Sequence, residues 1–130
     1  MKKMVLFMAF LLVVSIGGCT ENEDLSGTIT KDTWRVDYFF ADGDEDTSLF
    51  NGYVFTFLPD RTVTVTRPGL QPARGTWEDS DSDTRLELDF RDGGLLEKLD
   101  ETWVVNRILD DEIRLNKLYT PLTQLRFEKL

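Results

Sequence analysis

The side chains that most often carry out enzyme chemistry are scarce in this sequence. Histidine is absent, and Cys19 is the single cysteine. Without an imidazole, Ser-His-Asp and Cys-His arrangements, the usual general base and most zinc sites are excluded. Carboxylates are abundant, with 24 Asp and Glu residues, but no spacing singles out a glycosidase-type pair. We therefore predict a protein that is not an enzyme and needs no cofactor, and a carboxylate-based enzyme stays as the last alternative.

Two acidic segments have the alternating carboxylates that can converge on a calcium ion. One contains Asp42, Asp44 and Asp46, and the other contains Asp79, Asp81 and Asp83. An EF-hand loop also needs Gly at its sixth position and Glu at its twelfth. Counted from Asp42 these positions hold Thr47 and Tyr53, and counted from Asp79 they hold Thr84 and Phe90. Both segments fail the pattern, so we predict solvated acidic turns and no metal site.

The N-terminus has the features of an export signal. Lys2 and Lys3 precede residues 4–16, which are apolar except for Ser15. This run is shorter than the roughly 20 residues of a membrane span and is typical of a signal-peptide core. Ile16-Gly17-Gly18-Cys19 follows and resembles the lipobox of bacterial lipoprotein precursors. The resemblance implies that residues 1–18 are removed and that the Cys19 thiol, as the new first residue, accepts the lipid.

The same resemblance predicts where the protein is held. A lipoprotein cysteine with three acyl chains anchors firmly, because each buried methylene contributes about 0.8 kcal/mol. Thr20 follows Cys19, where the enteric pattern has Asp as an inner-membrane retention signal, so we expect the outer membrane. Glu21, Glu23 and Asp24 resemble the acidic surface-export signals of Bacteroidetes lipoproteins, or they form a solvated linker. The periplasmic and the cell-surface face both remain open.

The charge of the chain limits its partners. It has 15 basic and 24 acidic residues, a net charge of −9, and removal of residues 1–18 with Lys2 and Lys3 leaves −11. Such a charge repels the phosphates of nucleic acids and of anionic lipids. We therefore exclude nucleic acid as a partner and expect contact with the membrane only through the lipid on Cys19.

The mature chain is predicted to begin with a flexible acidic tether over residues 19–31 and to continue as one domain over residues 32–130. From residue 32 apolar residues alternate with polar ones, which indicates strands. The core-facing residues of eight predicted strands are Trp34, Val36, Tyr38 and Phe40; Tyr53, Phe55 and Phe57; Val63 and Val65; Ala73, Gly75 and Trp77; Leu86, Leu88 and Phe90; Trp103 and Val105; Ile113 and Leu115; Leu125 and Phe127. Residues 95–102 alone suggest a helix, of one or two turns.

Eight short strands with short connections favour an all-β, antiparallel, up-and-down barrel, because neighbour-to-neighbour strands can close and remove their edges. A sandwich fits the period of two as well. Three segments and the end of the chain also resemble the small lipocalin-like lipoproteins of the Bacteroidetes: Thr33-Trp34, residues 52–57, Gly75-Thr76-Trp77 and residues 125–129. The resemblance implies a lipocalin-like eight-stranded barrel over residues 32–130.

An up-and-down barrel sorts its loops into two ends. The longer loops share the end opposite the tether, and residues of the apolar phase near that end would line an open mouth. They are Phe40, Tyr53, Arg67, Trp103 and Lys117. An apolar wall with one or two cations suits an amphipathic anion. The contrary interpretation is that the aromatic side chains fill the interior, as in other small barrels, and the number of Trp, Phe and Tyr residues favours a filled barrel.

These observations predict a lipid-anchored, non-enzymatic binding module. The specific version binds a small hydrophobic or amphipathic ligand. The alternative is a structural or assembly lipoprotein that binds another envelope protein through its surface.

Overall fold

The computed structural model describes residues 24–91 and 94–130. The predicted signal peptide, Cys19 and residues 20–23 lie outside the described residues. One α-helix, α1, spans Leu25–Ile29, and 3₁₀ helices span Thr47–Phe50 and Leu95–Leu99. The strands are β1 (Thr33–Ala41), β2 (Asp44–Glu45), β3 (Val54–Phe57), β4 (Thr62–Arg67), β5 (Leu70–Ser80), β6 (Arg85–Asp89), β7 (Glu101–Ile108), β8 (Glu112–Lys117) and β9 (Gln124–Lys129).

The strands form a closed antiparallel barrel. Each strand from β3 to β9 pairs with its neighbour in sequence, and β9 returns to pair with β1 over six residue pairs. Eight strands make the wall, and β2 only extends the end of β1 as a two-residue hairpin. The prediction of an all-β, up-and-down, eight-stranded barrel is confirmed, and the sandwich alternative is excluded. The helix suggested over 95–102 is present as the short 3₁₀ helix Leu95–Leu99.

The pairing of neighbouring strands shifts register at three places. The shifts lie between Val36 and Tyr38 in β1, between Val65 and Arg67 in β4, and between Val105 and Arg107 in β7. An extra residue in one strand reverses the side of the sheet to which the following side chains point. In β1 the buried residue after Val36 is therefore Phe39. The predicted inward face of Tyr38 and Phe40 was wrong for this reason.

The interior of the barrel is filled by side chains. Trp34, Trp77 and Trp103 are at most 1% exposed, and each indole N–H donates to a backbone carbonyl, of Ile29, Leu58 and Leu99 respectively. Phe55, Phe57 and Phe127 pack between them, with ring centroids 5.2–6.4 Å apart. In the described part of the chain no buried side-chain nitrogen or oxygen lacks a hydrogen-bond partner. The aromatic residues thus satisfy their polar atoms while they occupy the lumen.

Helix α1 closes the end of the barrel at which β1 begins. Leu25 and Ile29 are fully buried, and their spacing of four places both on one helix face. Asp24 caps the helix, since its carboxylate accepts a hydrogen bond of 2.9 Å from the Gly27 amide. Residues 24–31 were predicted to belong to a flexible tether, and this was wrong. Burial of two apolar residues is enough to fix this otherwise polar segment against the open end of the barrel.

The opposite end of the barrel is closed as well. Phe50 of the first 3₁₀ helix is 1% exposed and packs edge-on against Phe39, with centroids 5.3 Å apart. Leu96 and Leu99 of the second 3₁₀ helix are fully buried. The two longer loops of this end therefore serve as a lid of apolar side chains over the filled interior.

No helix in the described ranges is long and apolar enough to cross a membrane.

Candidate functional site

The residues predicted to line a mouth do not surround an opening. Trp103 is fully buried and belongs to the core. The ammonium group of Lys117 lies 5.5 Å from the centroid of the Trp103 ring and 3.9 Å from the Glu101 carboxylate. These two residues do meet, but Lys117 lies over the ring as a cover. The pair stabilises the closed end of the barrel.

The other three predicted residues lie apart from this pair. Phe40 is half-buried and follows the bulge in β1, out of phase with the core. Tyr53 packs edge-on against Phe50, with centroids 5.8 Å apart. Arg67 lies at the β4–β5 hairpin, where its guanidinium donates to the Gln71 carbonyl at 2.7 Å. The structure thus brings together only Trp103 and Lys117 of the five, and Phe50, Leu96 and Leu99 are buried at this end of the barrel.

The first acidic segment lies against basic side chains. Asp42, Asp44 and Asp46 line a depression of about 220 Å³ together with Lys98 and Lys117. Two lysines beside three carboxylates offset most of the local negative charge. Within residues 24–91 and 94–130, no group of three or more metal-type ligands is close enough to hold an ion.

The second acidic segment forms a carboxyl pair with the helix cap. Burial, followed by hydrogen bonds to Asp24 and Asp79, raises the pKa of Asp83 to about 6. The hydrogen bond from the Gly27 amide, and then the one from Asp83, lowers the pKa of Asp24. A shared proton between two carboxyls is a feature of some enzymes. Here Asp24 is exposed and Asp83 is part of a surface turn, so the pair joins the start of α1 to the β5–β6 turn.

Three arginines lie side by side on the outside of the barrel. Arg107 of β7 pairs with Arg114 of β8, and Arg114 pairs with Arg126 of β9. Tyr38 of β1 continues this row on the other side of Arg126. Neighbouring strands are about 4.8 Å apart, so the backbone positions of the three arginines fall within about 10 Å. We call Arg107, Arg114 and Arg126 the arginine row.

Carboxylates hold two members of the arginine row by one edge of the guanidinium. Arg114 Nε donates to Glu112 at 3.1 Å, and Arg126 Nε donates to Asp37 at 2.8 Å and lies 3.5 Å from Glu112. The Arg126 guanidinium also lies 5.4 Å from the centroid of the Tyr38 ring. These contacts restrict both side chains before any partner arrives, which lowers the entropic cost of binding.

The arginine row retains hydrogen-bond donors that the described residues do not use. The contacts of Arg114 and Arg126 run through Nε, which leaves their Nη groups for an outside acceptor. Arg107 is exposed and has no ion pair with the part of the chain that the structure describes. Guanidinium groups with free Nη atoms bind carboxylate and phosphate oxygens through two parallel hydrogen bonds.

A groove of about 410 Å³ runs along this face. It is lined by Tyr38, Asn106, Arg114, Asn116, Gln124 and Arg126, with Leu115 and Leu125 at its base. Asn116 and Gln124 pair across β8 and β9, one row above the arginines. Guanidinium, amide and phenol groups therefore border one shallow groove, which is suited to a polar, negatively charged partner.

Sequence reasoning missed the arginine row because it considered only the inward phase of each strand. Part of the signal was present, because Arg114 and Arg126 occupy the outward phase of β8 and β9, whereas Arg107 shares the inward phase of Trp103 and Val105 in the sequence and is turned outward only by the bulge. The exact pairing of the strands, and the bulge before Arg107, decide that the three lie opposite one another. Neither is visible as a pattern in the sequence.

Comparisons with known proteins identify the fold of the chain. No protein-family model matches the chain, and no curated protein matches it. Among solved structures, a DUF4847 family protein from Bacteroides vulgatus ATCC 8482 matches with a TM-score of 0.61 and 17% sequence identity. The match covers 80% of this chain and 96% of that chain. The chain thus shares its barrel fold with a Bacteroides protein, which is consistent with the expected lipocalin-like barrel.

Proposed function

We propose that this protein is a lipid-anchored, non-enzymatic binding module of the outer membrane and that it binds its partner on the outside of the barrel. The observation that carries the proposal is the arginine row above a filled interior. An eight-stranded barrel can hold one small ligand only if its lumen is open. Here three tryptophans and at least four phenylalanines occupy the lumen, so the outer groove replaces the interior as the binding site.

A binding role also fits the chemistry of the groove. Its charged residues are restrained cations with unused donors, and a nucleophile with an adjacent base is absent from the set that lines it. Such a set recognises an oxyanion without transforming it. The function that we infer is therefore recognition of a partner at the envelope.

One observation favours the second candidate, an assembly lipoprotein that binds another envelope protein. The loop end of the barrel carries the exposed apolar side chains Leu70, Tyr119 and Leu122, which are 58%, 83% and 79% exposed. Exposed apolar residues at one end are typical of a protein contact. The groove adjoins this end through Asn116, which donates to the Pro121 carbonyl, but the two surfaces consist of different side chains and can be tested by separate substitutions.

The binding site is tested by two-dimensional NMR on the domain comprising residues 20–130. Inorganic phosphate is the probe, and we expect shifts of the arginine Nε–H signals of the groove and of nearby β8 and β9 amides. The indole signals of Trp34, Trp77 and Trp103 should stay unchanged. Phosphate-dependent shifts confined to other surfaces would contradict the proposal. Shifts of the indole signals on addition of a fatty acid would instead indicate a ligand that binds inside the barrel.

The anchor is tested in the full chain by metabolic labelling with an alkyne-bearing fatty acid. The wild-type protein and Thr20→Ala, the control variant, should be labelled and should partition into detergent. Cys19→Ala should lose the label, because the thiol that accepts the lipid is gone. An unlabelled wild-type protein, or a labelled Cys19→Ala variant, would refute lipidation at Cys19.

A further inference from the structure

The arginine row is an exception on an acidic protein. The chain has a net charge of −9, yet Arg107, Arg114 and Arg126 occupy directly opposed positions on three neighbouring strands. Like charges in opposed positions destabilise a sheet. Glu112 and Asp37 offset this repulsion for Arg114 and Arg126 only, so Arg107 adds an uncompensated charge. A partner with a negative charge would supply the missing compensation.

The surroundings of the row limit how densely that partner is charged. Glu112 pairs with Glu128 on the row immediately beside the arginines, and Asp37 lies on the β1 side. These carboxylates and the net charge of the protein repel a polyanion with charges along its whole length. They tolerate a single carboxylate or phosphate placed over the row, on a framework that is otherwise neutral.

The other side of the row indicates the nature of that framework. Gln124 and Asn106 are exposed amides in the groove, whereas the Asn116 amide already donates to the Pro121 carbonyl at 2.6 Å. An amide offers donors and an acceptor together, which matches the hydroxyl groups of a sugar. The Tyr38 ring, held against Arg126, adds an aromatic surface at the end of the groove.

We propose that the groove binds an acidic saccharide, in which a carboxylate or phosphate meets the Nη groups of the arginine row and the hydroxyl groups meet Gln124 and Asn106. This deepens the proposed function and rests on it. The shared chemistry is an oxyanion on a hydroxyl-rich ring, and uronic acids and sugar phosphates both supply it.

Isothermal titration of the domain comprising residues 20–130 tests the proposal. The probes are a tetrasaccharide of alternating glucuronate and N-acetylglucosamine, glucose 1-phosphate, glucose, inorganic phosphate and a tetraglutamate peptide. We expect one or both acidic saccharides to bind at least tenfold more tightly than the remaining three probes. Tighter binding of the tetrasaccharide identifies a uronate as the source of the charge, and tighter binding of glucose 1-phosphate identifies a phosphate.

Variants tie the affinity to the groove. Arg114→Gln and Arg107→Gln should each weaken the acidic saccharide about tenfold. Arg107 has no ion pair with the residues described, so its loss leaves the fold intact. Arg74→Gln removes an exposed arginine of β5, outside this groove, and should change nothing. Equal effects of all three substitutions would overturn the site.

The remaining outcomes separate this inference from the proposed function. If inorganic phosphate binds as tightly as the saccharides, the row is a simple anion site and the saccharide is wrong. If tetraglutamate binds more tightly than both saccharides, a protein partner replaces the saccharide and the outer-face module stands. If no probe binds and no NMR signal of the groove shifts, both the inference and the outer-face module are refuted.

Discussion

Arg114 and Arg126 lie directly opposite each other in β8 and β9, and the carboxylate of Glu112 contacts both. The two oxygens of Glu112 are shared between the two guanidinium groups, at 3.1 Å and 3.5 Å. Two cations can therefore stand side by side because a carboxylate two residues before Arg114 lies between them. Arg107, next in the row, has no such carboxylate among the residues described. Repulsion between neighbouring arginines therefore destabilises the sheet most at its position.

Replacement of Arg107 should raise stability. In Arg107→Gln one of three adjacent positive charges is removed and no ion pair with a described residue is lost, so we expect a gain of about 0.2–1 kcal/mol in the free energy of unfolding. Urea denaturation at low salt is the measurement. Arg126→Gln is the matched control: it deprives Asp37 and Glu112 of a partner and should lower stability. A loss in both variants would show that the arginines do not repel one another.

Truncation of Leu25 should destabilise the whole barrel. Because Leu25 is fully buried at the barrel end, Leu25→Ala should cost about 2–5 kcal/mol. Leu122→Ala, at a position 79% exposed, should change the free energy of unfolding by less than about 0.5 kcal/mol. Thermal denaturation of both variants distinguishes a structural α1 from a tether. Identical stability of the two variants would mean that residues 24–31 do not pack on the barrel and belong to a tether.

Gly75 is required by the close approach of β6. A Cβ atom at this position would lie 2.6 Å from the Asp89 carbonyl oxygen and 2.9 Å from the Phe90 Cα atom. Both are backbone atoms that move only with their strand, so Gly75→Ala should cost about 1–3 kcal/mol. Arg74→Ala, the exposed neighbour, is the control. A Gly75→Ala variant with wild-type melting behaviour would mean that β5 and β6 separate freely here.

Stability should fall as the pH rises from about 4 to about 6. The pKa of Asp83 is near 6 in the folded protein, against an ordinary value of 3.8, so folding favours the protonated carboxyl. Its contribution is complete below the ordinary value and is lost as the pH rises through the folded one. After allowance for solvent screening it is on the order of 1 kcal/mol. Asp24 and Asp79 both contact this group, and Arg61 lies near them, bound to Asp79 at 3.0 Å.

Asp83→Asn isolates this effect. The amide stays neutral at every pH, and asparagine tolerates the left-handed backbone of position 83, where φ is +67°. Urea denaturation at pH 4.5 and pH 7 should show a smaller pH dependence in the variant and a higher stability than wild type at pH 7. An unchanged pH dependence would assign it to other carboxylates.

The sequence was sufficient to predict the barrel but not to predict, after each bulge, which side chains point inward and which point outward. Alternation at Phe55 and Phe57, or at Leu86 and Leu88, reports a half-buried strand directly, and short connections then dictate the meander. Phe40 shows where alternation fails, because one unpaired residue after Val36 reverses the phase. A bulge depends on the partner strand, which alternation within one strand does not reveal.

The candidate site was harder to predict for a related reason. Arg107, Arg114 and Arg126 are separated along the chain and meet only through the registers of two strand pairs. The five residues assigned to a mouth raise a different difficulty: Trp103 has the inward phase that was assigned to it, but the loops that cover it are too short and irregular to be placed from their composition.

The folding of α1 into the barrel also sets how far the domain can stand from its anchor. Only residues 20–23 separate Cys19 from Asp24, and such a length of chain spans at most about 18 Å. A lipid on Cys19 would thus confine the barrel to a thin layer above the bilayer. Within such a layer, a partner fixed to the same membrane is present at an effective concentration in the millimolar range. Under the proposed function, a single oxyanion contact too weak to persist in free solution would then be sufficient to keep the two molecules together.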